Sequence, residues 1–111
     1  MPPIGKLDRR ITVERMTGTA KNEFNEDVQI WTPLTTVWAR RRDASDGERE
    51  AAGQIGATLM SRFVIRSTSV TKAVTPVDRI SYRGIWNIQG IKETEEGRNR
   101  FLEITAIKDA D

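Results

Sequence analysis

The stretch Asp78-Arg79-Ile80-Ser81-Tyr82-Arg83-Gly84-Ile85-Trp86-Asn87-Ile88-Gln89-Gly90-Ile91 decides the fold. Ile80, Trp86 and Ile88 all stand at even positions, and residues paired across an antiparallel hairpin share a face. Only a connection with an odd number of residues brings the three together. Three residues, Tyr82-Arg83-Gly84, supply that register as a type I turn closed by a left-handed glycine bulge, whereas a two-residue Arg-Gly turn would split the apolar set between two faces. The ribbon therefore reads as one wall of a core, with Ile80, Trp86 and Ile88 inward.

Working outward, the same period of two recurs. Arg10-Ile11-Thr12-Val13-Glu14-Arg15 alternates polar and apolar, placing Ile11 and Val13 on one face of a strand. Val28 to Thr32 resumes the alternation, Pro33 interrupts it, and Val37 to Arg42 continues as a second strand or a bent continuation of the first. Trp38 is assigned to the core. Residues 59–66 (LMSRFVIR) and 101–107 (FLEITAI) read as further strands, the last with Leu102, Ile104 and Ala106 on one face. About six short strands separated by turn signals predict an all-β fold, a small antiparallel barrel or sandwich, which also disposes of exposed strand edges.

Two segments break the pattern. Residues 17–27 (TGTAKNEFNED) are polar with one aromatic, Phe24, and read as a mobile hairpin tip or arm on which Phe24 could anchor a neighbour. Ser45-Asp46-Gly47-Glu48 fits a capping box, predicting a short helix over 46–57 in an insertion spanning 45–58. Its Ala51, Ala52 and Ile55 share a face by the i, i+3, i+4 rule, but Gly53 and Gly56 weaken it. A helix this marginal makes sense where a neighbouring subunit completes its surroundings, so Ala51, Ala52 and Ile55 are candidates for a subunit contact or a channel lining.

Composition narrows the chemistry. The 111 residues suit one domain, residues 1–111, around a single core. The absence of His and Cys removes the commonest general base, thiolate nucleophiles and most zinc ligands, and no glycine pattern resembles a phosphate loop. No catalytic residue, metal site or cofactor is expected. No apolar run approaches the length that spans a bilayer, and the N-terminus lacks the apolar region of a signal peptide, so no membrane contact is expected and synthesis is expected in the cytoplasm.

The 18 basic and 16 acidic side chains leave a net charge of only +2, which is not the global charge of a nucleic-acid binder. The most localised charge is Arg40-Arg41-Arg42. On a strand Arg40 and Arg42 share the face of Trp38 while Arg41 points away, so the run is not one flat patch. It reads first as a solvated strand end paired with Asp43, and second as a contact through Arg40 and Arg42 with DNA phosphates or with acidic residues of a partner. Trp31, Trp38 and Trp86 read as core or interface aromatics ahead of a base-stacking platform, which would need exposed aromatics on neighbouring strands with basic residues between them.

Taken together, Gly5-Lys6-Leu7-Asp8-Arg9-Arg10-Ile11-Thr12-Val13, Trp31, Thr36-Val37-Trp38-Ala39, Gly47-Glu48-Arg49-Glu50, Arg62-Phe63-Val64-Ile65-Arg66 and Thr75-Pro76-Val77-Asp78-Arg79-Ile80 leading into Tyr82, Gly84, Trp86 and Ile88 carry a resemblance. In their order and spacing, from about residue 5 to 107, the chain resembles the head-tail joining proteins of tailed bacteriophages, also called head-closure, stopper or adaptor proteins. The resemblance implies a non-enzymatic structural protein of the virion at the head-tail junction. It implies a small β-barrel, assembled as a ring beneath the portal, that seals the DNA-filled head and docks the tail. Its partners would be further copies of itself, a portal or adaptor protein, and a tail terminator or tail-tube protein, with packaged DNA in the channel within reach. A stand-alone nucleic-acid-binding small β-barrel is the alternative that the composition leaves open, and a carboxylate-based hydrolase is a third.

Overall fold

A computed structural model describes residues 7–43, 58–94 and 100–109. The hairpin that decides the fold is formed by β4 (Arg79–Ser81) and β5 (Ile85–Glu93). Ile80 faces Trp86 across it and Ser81 faces Ile85, so the connection has the three residues that parity demands. The turn itself differs from a type I turn with a terminal bulge, because Arg83 as well as Gly84 is left-handed, at φ 48° and 115°. Contacts around the turn account for this. The Trp86 indole N–H donates to the Tyr82 carbonyl at 2.9 Å, and Lys108 Nζ donates to the Arg83 carbonyl, so both peptide oxygens are held from inside the barrel. A Cβ on Gly84 would lie 2.9 Å from Lys108 Nζ.

Four more strands complete the sheet: β1 (Arg9–Lys21), β2 (Asp27–Asp43), β3 (Thr58–Arg66) and β6 (Phe101–Asp109). All pair antiparallel, in the closed order β1-β2-β3-β6-β5-β4, with β4 returning to β1 through Thr12–Ser81, Val13–Ile80 and Glu14–Arg79. Closure gives every strand two neighbours over part of its length, which shortens the edge open to a foreign strand.

Inward residues fill the lumen. Ile11, Val13, Ala39, Phe63, Ile65, Ile80, Trp86, Ile88, Leu102, Ile104 and Ala106 form one buried cluster. The Phe63 ring meets Trp86 edge to face, with centroids 5.5 Å apart and planes at 78°. Burying each of the larger side chains stabilises the barrel by about 1.5–3 kcal/mol. Trp38 is the exception among the residues assigned to the core: it is 51% exposed. At its level Ala39 takes the inward place, opposite Ile65. A lumen already occupied by Phe63, Ile65 and Trp86 accommodates the small side chain and leaves the large one outside.

The two long strands continue past the barrel. Beyond Glu14, β1 pairs only with β2, and the pair runs on to Lys21–Asp27 as a two-stranded ribbon. The polar residues 17–27, read as a hairpin tip or arm, are mostly strand, and only residues 22–26 form the tip. Cross-strand contacts explain it: Thr17 and Thr32 hydroxyls bond at 2.8 Å, Lys21 pairs with Asp27 at 2.9 Å, and the Asn22 carboxamide oxygen accepts from the N–H groups of Phe24 and Glu26. Pro33 does not end β2. The register slips beside it, with Val13 opposite Thr35 and Glu14 opposite Pro33, so Leu34 is the extra residue of a bulge. The pairing of β2 with β3 begins only at Ala39, so on that side Pro33 has no partner strand to which it fails to donate.

The connection from β3 to β4 carries a 3-10 turn at Thr71–Ala73. It is tied to the barrel by a fork between half-buried Arg15 and buried Asp78. Arg15 Nε and Nη2 donate to the two oxygens of Asp78 at 3.0 Å each, and Nη2 also donates to the Ala73 carbonyl at 2.7 Å. The Thr75 N–H adds a bond of 2.8 Å to the same carboxylate. Burial works against the Asp78 charge, but the Arg15 and Thr75 hydrogen bonds outweigh it and hold the carboxyl below its ordinary value. The Arg15 guanidinium is correspondingly raised by its bond to Asp78. The predicted helix over 46–57 lies outside the described residues.

Candidate assembly surfaces

With the lumen filled, the features that can meet another molecule lie on the outer wall and the ribbon. Strand register brings an ordered row to the wall of β1, β2, β3 and β6. Arg10 is opposite Trp38, the pairing of Ala39 with Ile65 sets Trp38 next to Arg66, and Arg66 is opposite Phe101. Their chain neighbours Ile11, Ala39, Ile65 and Leu102 are buried, so all four side chains point outward. Cation and aromatic alternate: the Arg10 guanidinium carbon lies 5.0 Å from the Trp38 ring centre, and that of Arg66 lies 5.8 Å from Phe101. Leu7, Trp38, Arg66 and Phe101 enclose a hollow of about 440 Å³.

Arg40 and Arg42 stand on this same wall, one and two steps beyond Trp38. Arg40 is opposite Val64 and Arg42 opposite Arg62. Glu103 lies among them, 3.6 Å from Arg62 and 3.4 Å from Lys92. Arg41 faces the other way. Its guanidinium carbon lies 5.6 Å from the Tyr82 ring and 5.2 Å from Trp86, it pairs with Asp43 at 3.0 Å, and its Nε donates to Ser61 at 3.2 Å. The arginine triplet thus divides into an inner member over the core aromatics and two outer members beside the hollow.

The ribbon presents a different surface. Gly18 is opposite Ile30 and Ala20 opposite Val28, which puts these four on one side, with Val28 and Ile30 more than two-fifths exposed. Phe24, at the tip, is 73% exposed. It is not on a slack loop: besides the Asn22 carboxamide bonds, the Asn22 N–H donates to the Glu26 carbonyl and the Asn25 N–H to the Asn22 carbonyl, both at 3.0 Å. Glu23, Glu26 and Asp27 lie close to it in the chain. At the root, Arg79 is clamped between Glu14, at 2.7 Å, and the face of Trp31, 4.0 Å from its ring centre. That leaves Trp31 half-buried.

Of the residues singled out from sequence, Arg40 and Arg42 share one wall and Phe24 stands apart at the ribbon tip; Ala51, Ala52 and Ile55 lie outside the described residues. The sequence reading did not single out Phe101 or Arg66 as surface residues. Parity held the signal, because each adjoins an inward apolar residue, Leu102 and Ile65, and so must point outward.

Comparison with known proteins adds an independent result. The family model described as phage head completion protein matches residues 2–109. The fold is similar to the solution structure of a Shigella flexneri 2a protein, at 23% identity and a TM-score of 0.64, covering 97% of each chain. It is also similar to a chain from the virion of a native gene transfer agent particle, at 20% identity and a TM-score of 0.62, covering 95% of this chain and 96% of that one. No curated protein matches the chain.

Proposed function

The chain belongs to the phage head completion protein family, whose members are structural components of the virion, and from that premise we propose that it assembles as a ring at the head-tail junction. There it closes the DNA-filled head below the portal and docks the tail. The observation that carries this reading is the family match over nearly the whole chain. The architecture supports it: a closed barrel has no need of a projecting ribbon, and an isolated two-stranded ribbon is at best marginally stable in water. Its exposed Phe24, Val28 and Ile30 suit burial against other virion proteins.

Arg40 and Arg42 have a place in this reading as contacts to DNA phosphates or to acidic residues of an adjoining ring. Reversing both charges is expected to lower the yield of filled, tailed particles, and an unchanged yield removes them from the interface. The proposal as a whole is tested by electron microscopy of particles carrying a labelled copy of the chain. Label at the neck, together with DNA-leaking or tailless heads when the chain is deleted, is the expected outcome. Label elsewhere overturns it.

One observation favours a second reading, a nucleic-acid-binding barrel: Trp38 and Phe101 are on nearby strands with Arg66 between them, as a base-stacking surface requires. Salt-sensitive binding of single-stranded oligonucleotides by the isolated chain, with quenching of Trp38 fluorescence, distinguishes it.

A further inference from the structure

We propose that the ribbon tip of one copy docks in the hollow formed by Trp38, Arg66 and Phe101 of the next copy, with Phe24 as the anchor and Glu23 and Glu26 meeting Arg10 and Arg66. The inference rests on the ring reading and names the contact that builds the ring. The two surfaces are complementary in both respects that matter. The tip offers one aromatic, 73% exposed on an ordered turn, with Glu23 and Glu26 beside it in the chain and both exposed. The hollow, about 440 Å³, offers two aromatic walls rimmed by guanidinium groups. Aromatic and arginine side chains are the usual anchors of interfaces, and opposed charges around them fix register and suppress wrong partners.

A copy cannot satisfy itself. Trp38 is level with Arg10, and the twelve steps along the chain from Arg10 to Asn22 advance away from it by about 40 Å at the usual rise of a strand. The tip therefore lies near one extreme of a molecule 55 Å long, with the hollow well back on the barrel wall. A contact between two different patches is heterologous, so each copy donates a tip and accepts one. Repeated, it closes into a ring when the rotation permits.

The chain has no cysteine or histidine to complicate chemistry at position 24, which suits a photochemical test in assembled particles. Phe24 is replaced by p-benzoylphenylalanine, which keeps an aromatic ring at the tip, and particles are irradiated. Cross-links between two copies, mapped to peptides containing Trp38, Arg66 or Phe101, are expected. Cross-links to another protein, to another surface of this chain, or none at all overturn the docking.

Charge exchange supplies the second arm. Glu23→Arg with Glu26→Arg, or Arg10→Glu with Arg66→Glu, is expected to weaken assembly by about 30-fold or more, because either pair of changes sets like charges against each other around the anchor. The chain carrying all four changes is expected to recover particle yield, and failure to recover overturns the pairing. Single-stranded oligonucleotides that compete for the hollow and protect it in particles would likewise overturn it in favour of a nucleic-acid ligand. If label still marks the neck while these results fail, the docking is wrong and the head-tail reading stands; label away from the neck removes both.

Discussion

The same two strands build two unlike regions. Where β1 and β2 belong to the barrel, Ile11, Val13 and Ala39 are completely buried; where they leave it, Val28, Ile30 and Phe24 stand in solvent. On β2 the alternation continues into the ribbon through Val28 and Ile30, and the difference is what lies on the far side of the sheet. In the barrel, Phe63, Ile80, Trp86 and Ile104 complete a core. In the ribbon the described residues offer nothing comparable. The proposed function puts stability in one region and adhesion in the other, and substitutions should separate the two.

The largest effect belongs to the barrel. Trp86→Ala removes a ring that contacts Phe63 edge to face and leaves a cavity in a closed sheet, so a loss of about 3–5 kcal/mol is expected in denaturant titration. Gly84→Ala comes next. At φ 115° an L side chain is strained, and about 1–3 kcal/mol should be lost although only the flexible end of Lys108 is crowded. Wild-type stability in either variant would mean that the β4–β5 hairpin is not the organising wall.

The Arg15–Asp78 fork sits where the two regions meet, and its contribution depends on pH. Asp78 is held below its ordinary value, so its folded state binds fewer protons than the unfolded chain near the carboxylate range. Its stabilisation is fully present above the unfolded carboxylate pKa of about 3.9 and is lost as pH falls through the lower folded value. Asp78→Asn should flatten this acid limb in melting temperature measured against pH while lowering stability near neutrality. An undiminished acid limb would shift the origin of acid sensitivity to other carboxylates.

The smallest effect on folding belongs to the ribbon. Phe24→Ala alone, or Val28→Thr with Ile30→Thr, should change the stability of the isolated chain by no more than about 0.5 kcal/mol per site, as exposed substitutions usually do. The same variants should lower the yield of tailed particles. Barrel-sized losses of stability from these changes would erase the distinction between the regions.

How much of this was legible in the sequence follows the same division. The β4–β5 register could be read from parity alone, because a period of two admits no compromise: Ile80, Trp86 and Ile88 share a face only with an odd connection. The continuation of β2 through Pro33 could not, since a bulge is defined by what the partner strand does opposite it. Residues 17–27 lack an apolar alternation, so nothing local distinguished strand from loop; the Thr17–Thr32 and Lys21–Asp27 contacts that order them are cross-strand. Trp38 was misread for an instructive reason. Its size argued for the core, while its parity with Arg40 and Arg42 argued for solvent, and the charged residues were the better guide. The assembly surface was hidden for the same cause, because the row from Arg10 to Phe101 exists only once four strands are laid side by side.

The central claim is that this chain acts through its exterior, as a subunit of a ring at the neck of a phage-like particle. A cryo-EM reconstruction of that neck, with the chain identified by label, tests it most directly. The account predicts a ring of six-stranded barrels at the head-tail junction, with ribbons spanning from each copy to its neighbour. A neck without these barrels, or barrels whose ribbons touch no other protein, would contradict it.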